Sequence, residues 1–297
     1  MAVPDLTPEQ ILQAIPQVSN LGRPLYGGQK VVFPCTIDGQ RCVLKLMEVS
    51  DHVDPESGEE LGEQAIDEVA ARARREVETL SECNSRHLVQ LGPIPLTEGR
   101  IGAQTVLYYT EEWIDGEDLK AILARNRRLP VDEVVRLGRD ITSAIEELWA
   151  HKKVHRDVKP GNIMRRNDDG SFVLLDMGVT LALMDKSLTT FGQVPGTQLY
   201  LSPDQVDFAH KRLLDFRSDL FALGIVMYEA CTGVHPFATP DPRVSFVRLL
   251  TAEPLVPSQV CGEVPQVMDA IVMRLLSKKP HLRYRSCNQL IEELSRV

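Results

Sequence analysis

His155-Arg156-Asp157-Val158-Lys159-Pro160-Gly161-Asn162 is followed, fourteen residues after its asparagine, by the aspartate of Leu174-Leu175-Asp176-Met177-Gly178. The first string reads as an extended polar loop. The run Phe172 to Leu175 between the two is short and apolar, as a buried strand would be, and delivers Asp176. Outward from this point the hydrophobic period differs on the two sides. Downstream, Leu220 to Cys231 is apolar on nearly every face, the pattern of a helix buried in the middle of a domain. Val267, Ile271 and Leu275, then Leu290, Ile291 and Leu294, mark two amphipathic helices. Just upstream, Val131 to Trp149 places Val134, Leu137, Ile141, Ile145 and Leu148 on one helical stripe. Before Gly116 the chain reads as strands: Lys30 to Cys35, a turn at Asp38-Gly39, Arg41 to Met47, then Val89 to Leu96 and Thr105 to Trp113. One helix pattern, through Val69, Ala73, Val77 and Leu80, interrupts them. Thr7-Pro8-Glu9-Gln10 has the form of a capping box opening a short lead-in helix. The fold class is α+β: an antiparallel sheet lobe with one main helix, then a larger helical lobe. The boundaries fall at residues 1–20 for an N-terminal extension, 21–115 for the small lobe and 116–297 for the large one.

Formal net charge is −9, and nearly all of it sits in Asp51 to Glu68, which holds eight acids and no lysine or arginine. That run, about 51–68, reads as a solvated insertion in the small lobe, with docking of a basic partner as the sharper alternative. Overall acidity argues against nucleic-acid binding, which needs a basic face. Cys35, Cys42, Cys83, Cys231, Cys261 and Cys287 are widely spaced with no C-x-x-C pair, the pattern of reduced thiols rather than a zinc site or disulfide framework. Leu220 to Val234, the longest apolar stretch, contains Glu229 and falls short of a membrane span. No secretory signal is visible at the N-terminus, and the expected location is cytoplasmic.

The 155–162 and 174–178 strings together resemble the catalytic domain of the eukaryotic-type serine/threonine protein kinases, here of the bacterial kind. The resemblance runs from about Leu21 to the C-terminus. It implies a bilobal fold and transfer of the ATP γ-phosphate with Mg²⁺, Mn²⁺ being the alternative metal. On it, Asp157 orients the acceptor hydroxyl and takes its proton late, and Lys159 neutralises the γ-phosphate. Asn162 and Asp176 supply the oxygen ligands that Mg²⁺ prefers. Lys45, in Cys42-Val43-Leu44-Lys45, contacts the α/β-phosphates. Its partner is Glu76, preferred to Glu78 because Leu80 then falls one turn on, facing the core. Leu21, Gly22, Gly27, Gly28 and Val31 belong to the phosphate-covering loop, with Pro24 where a second glycine is expected. Glu112 and Ile114 offer backbone groups to adenine, and Val43 and Met164 complete the nucleotide contacts. Glu111 falls at a position that is normally apolar or threonine, where a carboxylate needs a partner or water.

The acceptor class comes from Pro195 to Asp204, which resembles the peptide-binding segment of protein kinases. There Asp204 replaces the usual glutamate and pairs with Arg283. Small-molecule phosphotransferases generally lack this segment, so the acceptor is a Ser/Thr hydroxyl of a protein. Asp219 braces the catalytic loop, and Thr197 bonds Asp157 and Lys159. Arg156 binds a phosphate on the activation segment, with Thr189 and Thr190 the candidate phosphosites, ahead of Ser187, and self-association permitting trans-autophosphorylation. The alternative reading is a pseudokinase, a nucleotide-binding scaffold or interaction module.

Overall fold

The computed structural model describes residues 6–27, 30–49, 63–176, 197–206 and 214–297. Gly28, Ser187, Thr189, Thr190 and most of the acidic run lie outside these residues. The chain divides into two compact units, Met1–Glu82 with Val89–Ile114, and Cys83–Leu88 with Asp115–Val297.

The smaller unit opens on α1 (Pro8–Ala14). Thr7 Oγ1 accepts the Gln10 amide at 3.3 Å and Gln10 Oε1 accepts the Thr7 amide at 2.9 Å, the reciprocal capping box legible in the sequence. Its strands are β1 (Val18–Ser19), β2 (Leu25–Gly27), β3 (Lys30–Ile37), β4 (Gln40–Glu48), β5 (Thr97–Ile101) and β6 (Gln104–Glu112). They form one antiparallel sheet in the order β1-β3-β4-β6-β5, with β2 also on β3. Asp38 and Gly39 both take positive φ, 50° and 82°, as the two-residue turn of a twisted hairpin requires.

Period-two alternation separates two faces. On one, Val31, Phe33, Cys35, Leu44, Leu46 and Val106 pack with Ile11 and Ile15. The segment set apart as an extension thus supplies apolar residues to this core and β1 to its sheet. On the other face, Met47, Leu107 and Tyr109 cluster with Ala73 and Val77 of α2 (Glu63–Glu82). That helix starts inside the acidic run and takes its last residues. A strand over Val89 to Leu96 is not found. The segment does meet the end of β6 through a Leu91–Glu111 bridge, with Glu112 N–H donating to Gln90 O at 2.9 Å, Gly92 N–H to Thr110 O at 2.7 Å and Thr110 N–H to Ile94 O at 3.0 Å. Pro93 and Pro95 have no N–H to extend it into a strand, and the more polar β5 pairs the rest of β6.

The larger unit holds α3 (Leu119–Asn126), α4 (Val131–Ala150), α5 (Pro203–Val206), α6 (Phe216–Thr232), α7 (Pro242–Thr251), α8 (Pro257–Val260), α9 (Gln266–Leu275) and α10 (Cys287–Leu294). A small sheet, β7 (Gly116–Asp118), β8 (Ile163–Arg166) and β9 (Phe172–Leu174), completes it. Helix α6 is buried around its whole circumference and packs on α4 and α9. A Cβ on Gly224 would lie 2.7 Å from Leu275 Cβ, so only glycine permits this approach of α6 to α9. Segment Cys83–Leu88 is tied to this unit by Asn84 N–H donating to Glu147 Oε1 at 2.8 Å and Leu174 N–H donating to His87 O at 2.8 Å. Cys83, Glu147 and His151 thereby converge within 4.8 Å, a grouping that cysteine spacing could not reveal. Among the described residues no helix is long and apolar enough to cross a membrane.

Beyond α6, the His235 ring donates from Nε2 to Leu199 O at 3.2 Å and accepts the Phe237 and Ala238 amides at Nδ1, both at 3.1 Å. Burial depresses its pKa to about 4, against 6.5 in the unfolded chain. A His held neutral contributes stability that is present above pH 6.5 and is lost as pH falls through the folded value. Between pH 6.5 and about 4 the loss is on the order of 3 kcal/mol. The expected result is a Tm that drops through this window more steeply in the wild type than in His235→Gln. Parallel Tm-versus-pH curves would exclude His235 as the cause.

Candidate active site

In the larger unit the 155–162 loop is anchored from beneath by Asp219, in the first turn of α6 and 1% exposed. Its two carboxylate oxygens accept the His155 and Arg156 amides, each at 2.7 Å. Burial raises the Asp219 pKa, and the two N–H donors oppose that shift. Arg156 stands at φ 71°, a left-handed conformation that costs a non-glycine residue about 1–2 kcal/mol. The buried carboxylate holds it there. His155 fixes the other side: its Nε2 donates to Leu175 O at 2.9 Å and its Nδ1 accepts the Asp157 amide at 3.3 Å. Those two partners require the neutral, Nε2-protonated ring.

Asp157 Oδ2 then receives Lys159 Nζ at 2.7 Å and Asn162 Nδ2 at 2.8 Å. Asn162 Nδ2 also donates to Asp157 O at 2.9 Å. Its amide nitrogen is committed to Asp157, which leaves Oδ1 as the atom that can face a cation. Leu175 N–H donates to Asn162 O at 2.8 Å, so Asp176 emerges from β9 beside this loop, at φ 46°. Asn162 and Asp176 offer an amide oxygen and a carboxylate, a donor set that fits Mg²⁺ or Mn²⁺. Met164 lies on β8 opposite Val173, half-buried, one residue past Ile163, whose side chain enters the core.

In the smaller unit, residues paired across strands share a face. Val32 pairs with Lys45 and Pro34 with Val43, whereas Val31 pairs with Leu46. Val31, expected among the nucleotide contacts, therefore points to the opposite face, into the core with Ile11, and Val32 is the valine on the lysine's side. Leu21 likewise packs against the cluster containing Ile11. Five residues, 20–24, oppose only three, 33–35, between the β1–β3 and β2–β3 pairings. Pro24, which has no N–H to give, falls in this unpaired stretch. Gly22 N–H donates to Pro34 O at 2.7 Å, and a Cβ on Gly22 would lie 3.1 Å from Pro34 Cβ. That glycine serves strand contact, and Gly27 closes the β2–β3 ladder opposite Lys30.

Lys45 is 3% exposed, and its ammonium lies near the carboxylates of Glu111 and Glu76. Glu111 Oε1 lies at 2.5 Å and Glu76 Oε1 at 3.8 Å, the latter also 3.9 Å from Lys30 Nζ. The sequence assigned Lys45 to Glu76 alone. Glu111 is nearer because it is the diagonal neighbour of Lys45 across the β4–β6 ladder, where Lys45 opposes Tyr109 and Val43 opposes Glu111. The Glu112 amide donates to Gln90 O at 2.9 Å, so an adenine edge could use the carbonyl of this residue but not its N–H. Ile114 is buried at the end of the unit.

The structure also joins Asp204 to Arg283. Arg283 Nη2 donates to Asp204 Oδ1 at 2.6 Å, with an Arg283 side chain that is fully buried. Gln205, which sequence reasoning passed over, donates from Nε2 to Arg156 O at 3.0 Å and so ties α5 to the 155–162 loop. No sequence pattern marks a glutamine for that task. Thr197 opens a short 3₁₀ turn, Thr197–Tyr200.

A family model described as the protein kinase domain matches residues 27–294. Serine/threonine-protein kinase PknE of Mycobacterium tuberculosis is 34% identical over 219 residues, 74% of this chain and 37% of that protein. Serine/threonine-protein kinase PknB of Mycobacterium leprae is 31% identical over 227 residues, 76% of this chain and 36% of that one. The chain spans about a third of the length of such relatives. The crystal structure of the PknI kinase domain of Mycobacterium tuberculosis superposes with a TM-score of 0.65 at 20% identity, covering 94% of this chain and 96% of that one, a likeness of fold. With the 155–162 loop, the 174–178 string and a match over nearly its whole length, the chain belongs to the protein kinase domain family.

Proposed function

We propose that this chain is an ATP-dependent protein serine/threonine kinase, with residues 21–115 as the nucleotide-holding lobe and 116–297 as the lobe that carries the acceptor. The observation that carries the reading is the fixed triad Asp157, Lys159 and Asn162, with both donors converging on one oxygen of Asp157. Asp157 orients the acceptor hydroxyl and takes its proton as transfer proceeds. Lys159 balances charge on the γ-phosphate, and Lys45 serves the α/β-phosphates. Asn162 Oδ1 and Asp176 would hold Mg²⁺, or Mn²⁺ in its place, which adds positive charge over the phosphate oxygens. The braced pair Asp204–Arg283 supports a protein acceptor, since it stabilises the segment that would receive a peptide. Thr189 and Thr190 are the proposed phosphosites, modified in trans by a second copy, with Arg156 as the phosphate's partner. Six cysteines without disulfides fit a cytoplasmic location.

The test is incubation with Mg²⁺ and γ-labelled ATP beside Asp176→Ala, followed by phosphosite mapping. Label on Ser or Thr, absent from the variant, is the expected result. ATP-induced thermal stabilisation with no label on the chain or on added protein would instead favour a nucleotide-binding scaffold.

A further inference from the structure

We infer that Glu111, from within the sheet, is the positioning residue for Lys45, and that Glu76 on α2 is its secondary partner. The inference rests on the kinase reading for its consequence, and on geometry for its substance. The 2.5 Å contact between Lys45 Nζ and Glu111 Oε1 is a direct charge-assisted hydrogen bond. The 3.8 Å separation from Glu76 is an ion pair with no hydrogen bond. Lys45 and Glu111 are each 3% exposed, so little water competes for the contact.

The backbone supports the same ordering. Lys45 and Glu111 sit on adjacent strands whose ladder runs from Cys42–Glu112 to Glu48–Val106 without a break. Their diagonal relation is fixed by register, and no movement of α2 is needed to make or keep it. Tyr109, directly opposite Lys45, lies with its ring centroid 5.7 Å from the ammonium and lines the same face. Glu76, in contrast, belongs to a helix and divides its carboxylate between Lys45 and Lys30.

The consequence is a lysine whose hydrogen bond to Glu111 ties it to the sheet. A kinase in which the helix glutamate holds this lysine can be switched by moving the helix. Here Lys45 stays aimed wherever α2 goes, and what α2 contributes through Glu76 is a second, weaker counter-charge. An acidic residue at position 111, otherwise a costly burial, thereby has a use. It also occupies one of the three ammonium protons.

The test compares wild type, Glu111→Gln and Glu76→Gln as full chains, each first checked for folding by its Tm. Acylation of Lys45 by a small neutral amine-reactive ester is read by peptide mass spectrometry and normalised to the exposed Lys120. In parallel, kcat and KM for ATP are measured. Loss of one charge-assisted hydrogen bond predicts about a tenfold fall in kcat/KM for Glu111→Gln, with a rise in KM for ATP, and a smaller fall for Glu76→Gln. Lys45 acylation should rise more in Glu111→Gln than in Glu76→Gln. A purely structural role for Glu111 would lower Tm and the active fraction while leaving the KM for ATP unchanged, and that result overturns the inference. So does an equal or larger effect of Glu76→Gln on either readout. A wild type that transfers no phosphate refutes the kinase reading, while the acylation order still decides which glutamate holds Lys45. Should Glu111→Gln fail to fold, Glu76→Gln decides: a tenfold or greater loss there overturns the inference, and a smaller one supports it.

Discussion

Asp157→Asn is expected to lower phosphoryl transfer by about 10³-fold, within the range for loss of a general base, while Tm barely changes. Asparagine has nearly the same shape, and its carbonyl oxygen can still accept from Lys159 Nζ and Asn162 Nδ2, now at 2.7 and 2.8 Å from Asp157 Oδ2. The loop itself is held by Asp219 and His155, whose bonds go to backbone atoms and survive the change. Two things are lost: the base that receives the hydroxyl proton, and the negative charge that balances Lys159. The lost charge pair is partly solvated, which limits its effect on stability to about 1 kcal/mol. Label transfer to a Ser/Thr-containing protein, measured beside a thermal melt of the same sample, checks both halves. Undiminished transfer with an intact fold would remove Asp157 from the mechanism.

That separation of activity from stability follows from how the loop is built, and only part of it was legible in the sequence. Residues whose chemistry is tied to a local string, such as Asp157, Lys159, Asn162 and Asp176, can be picked out because the string itself fixes their order. The capping box at Thr7 and the all-round apolar helix Phe216–Thr232 were readable for a similar reason, since each is a short-range pattern. Register is different. Whether Val31 or Val32 shares a face with Lys45 turns on where the β3–β4 hairpin reverses, and a shift of one residue exchanges the faces. The β4–β6 register brings Glu111 to Lys45, a contact between residues 66 apart that no local pattern encodes. The strand misplaced over Val89 to Leu96 shows the converse error. Its apolar composition reads as a full strand, whereas it meets β6 only at Thr110–Glu112, because Pro93 and Pro95 lack the N–H groups to extend the pairing, and the polar edge strand Thr97–Ile101 pairs the rest of β6. Gln205 was invisible for a third reason: a glutamine bonding a backbone carbonyl has no counterpart in sequence pattern.

The largest loss of stability should come from Asp204→Ala, about 3 kcal/mol, because it leaves a buried guanidinium without its counter-ion. Arg283 has a side chain with no exposed surface, and burial pulls its pKa down against the opposing pull of Asp204. Arginine does not escape by deprotonating, so the cost falls on folding. Its remaining donors are already placed: Nε on Ser277 O at 2.8 Å, Nη1 on Arg217 O at 2.8 Å and Nη2 also on Lys278 O at 3.1 Å. The face of Phe221, 4.8 Å away, adds cation–π attraction but no carboxylate. Asp204 additionally accepts the Ser218 hydroxyl, which the alanine variant leaves without that acceptor. For a unit of this size such a loss corresponds to a Tm lower by roughly 6–12 °C in a thermal melt. Removing the charge as well, in Asp204→Ala/Arg283→Met, should recover part of it, since methionine carries no desolvation penalty. Recovery stays incomplete because the carbonyls of Ser277, Arg217 and Lys278 lose their donor. A single variant as stable as wild type would mean that those carbonyls alone satisfy the guanidinium, and that Asp204 is kept for its effect on the segment it anchors rather than for the fold.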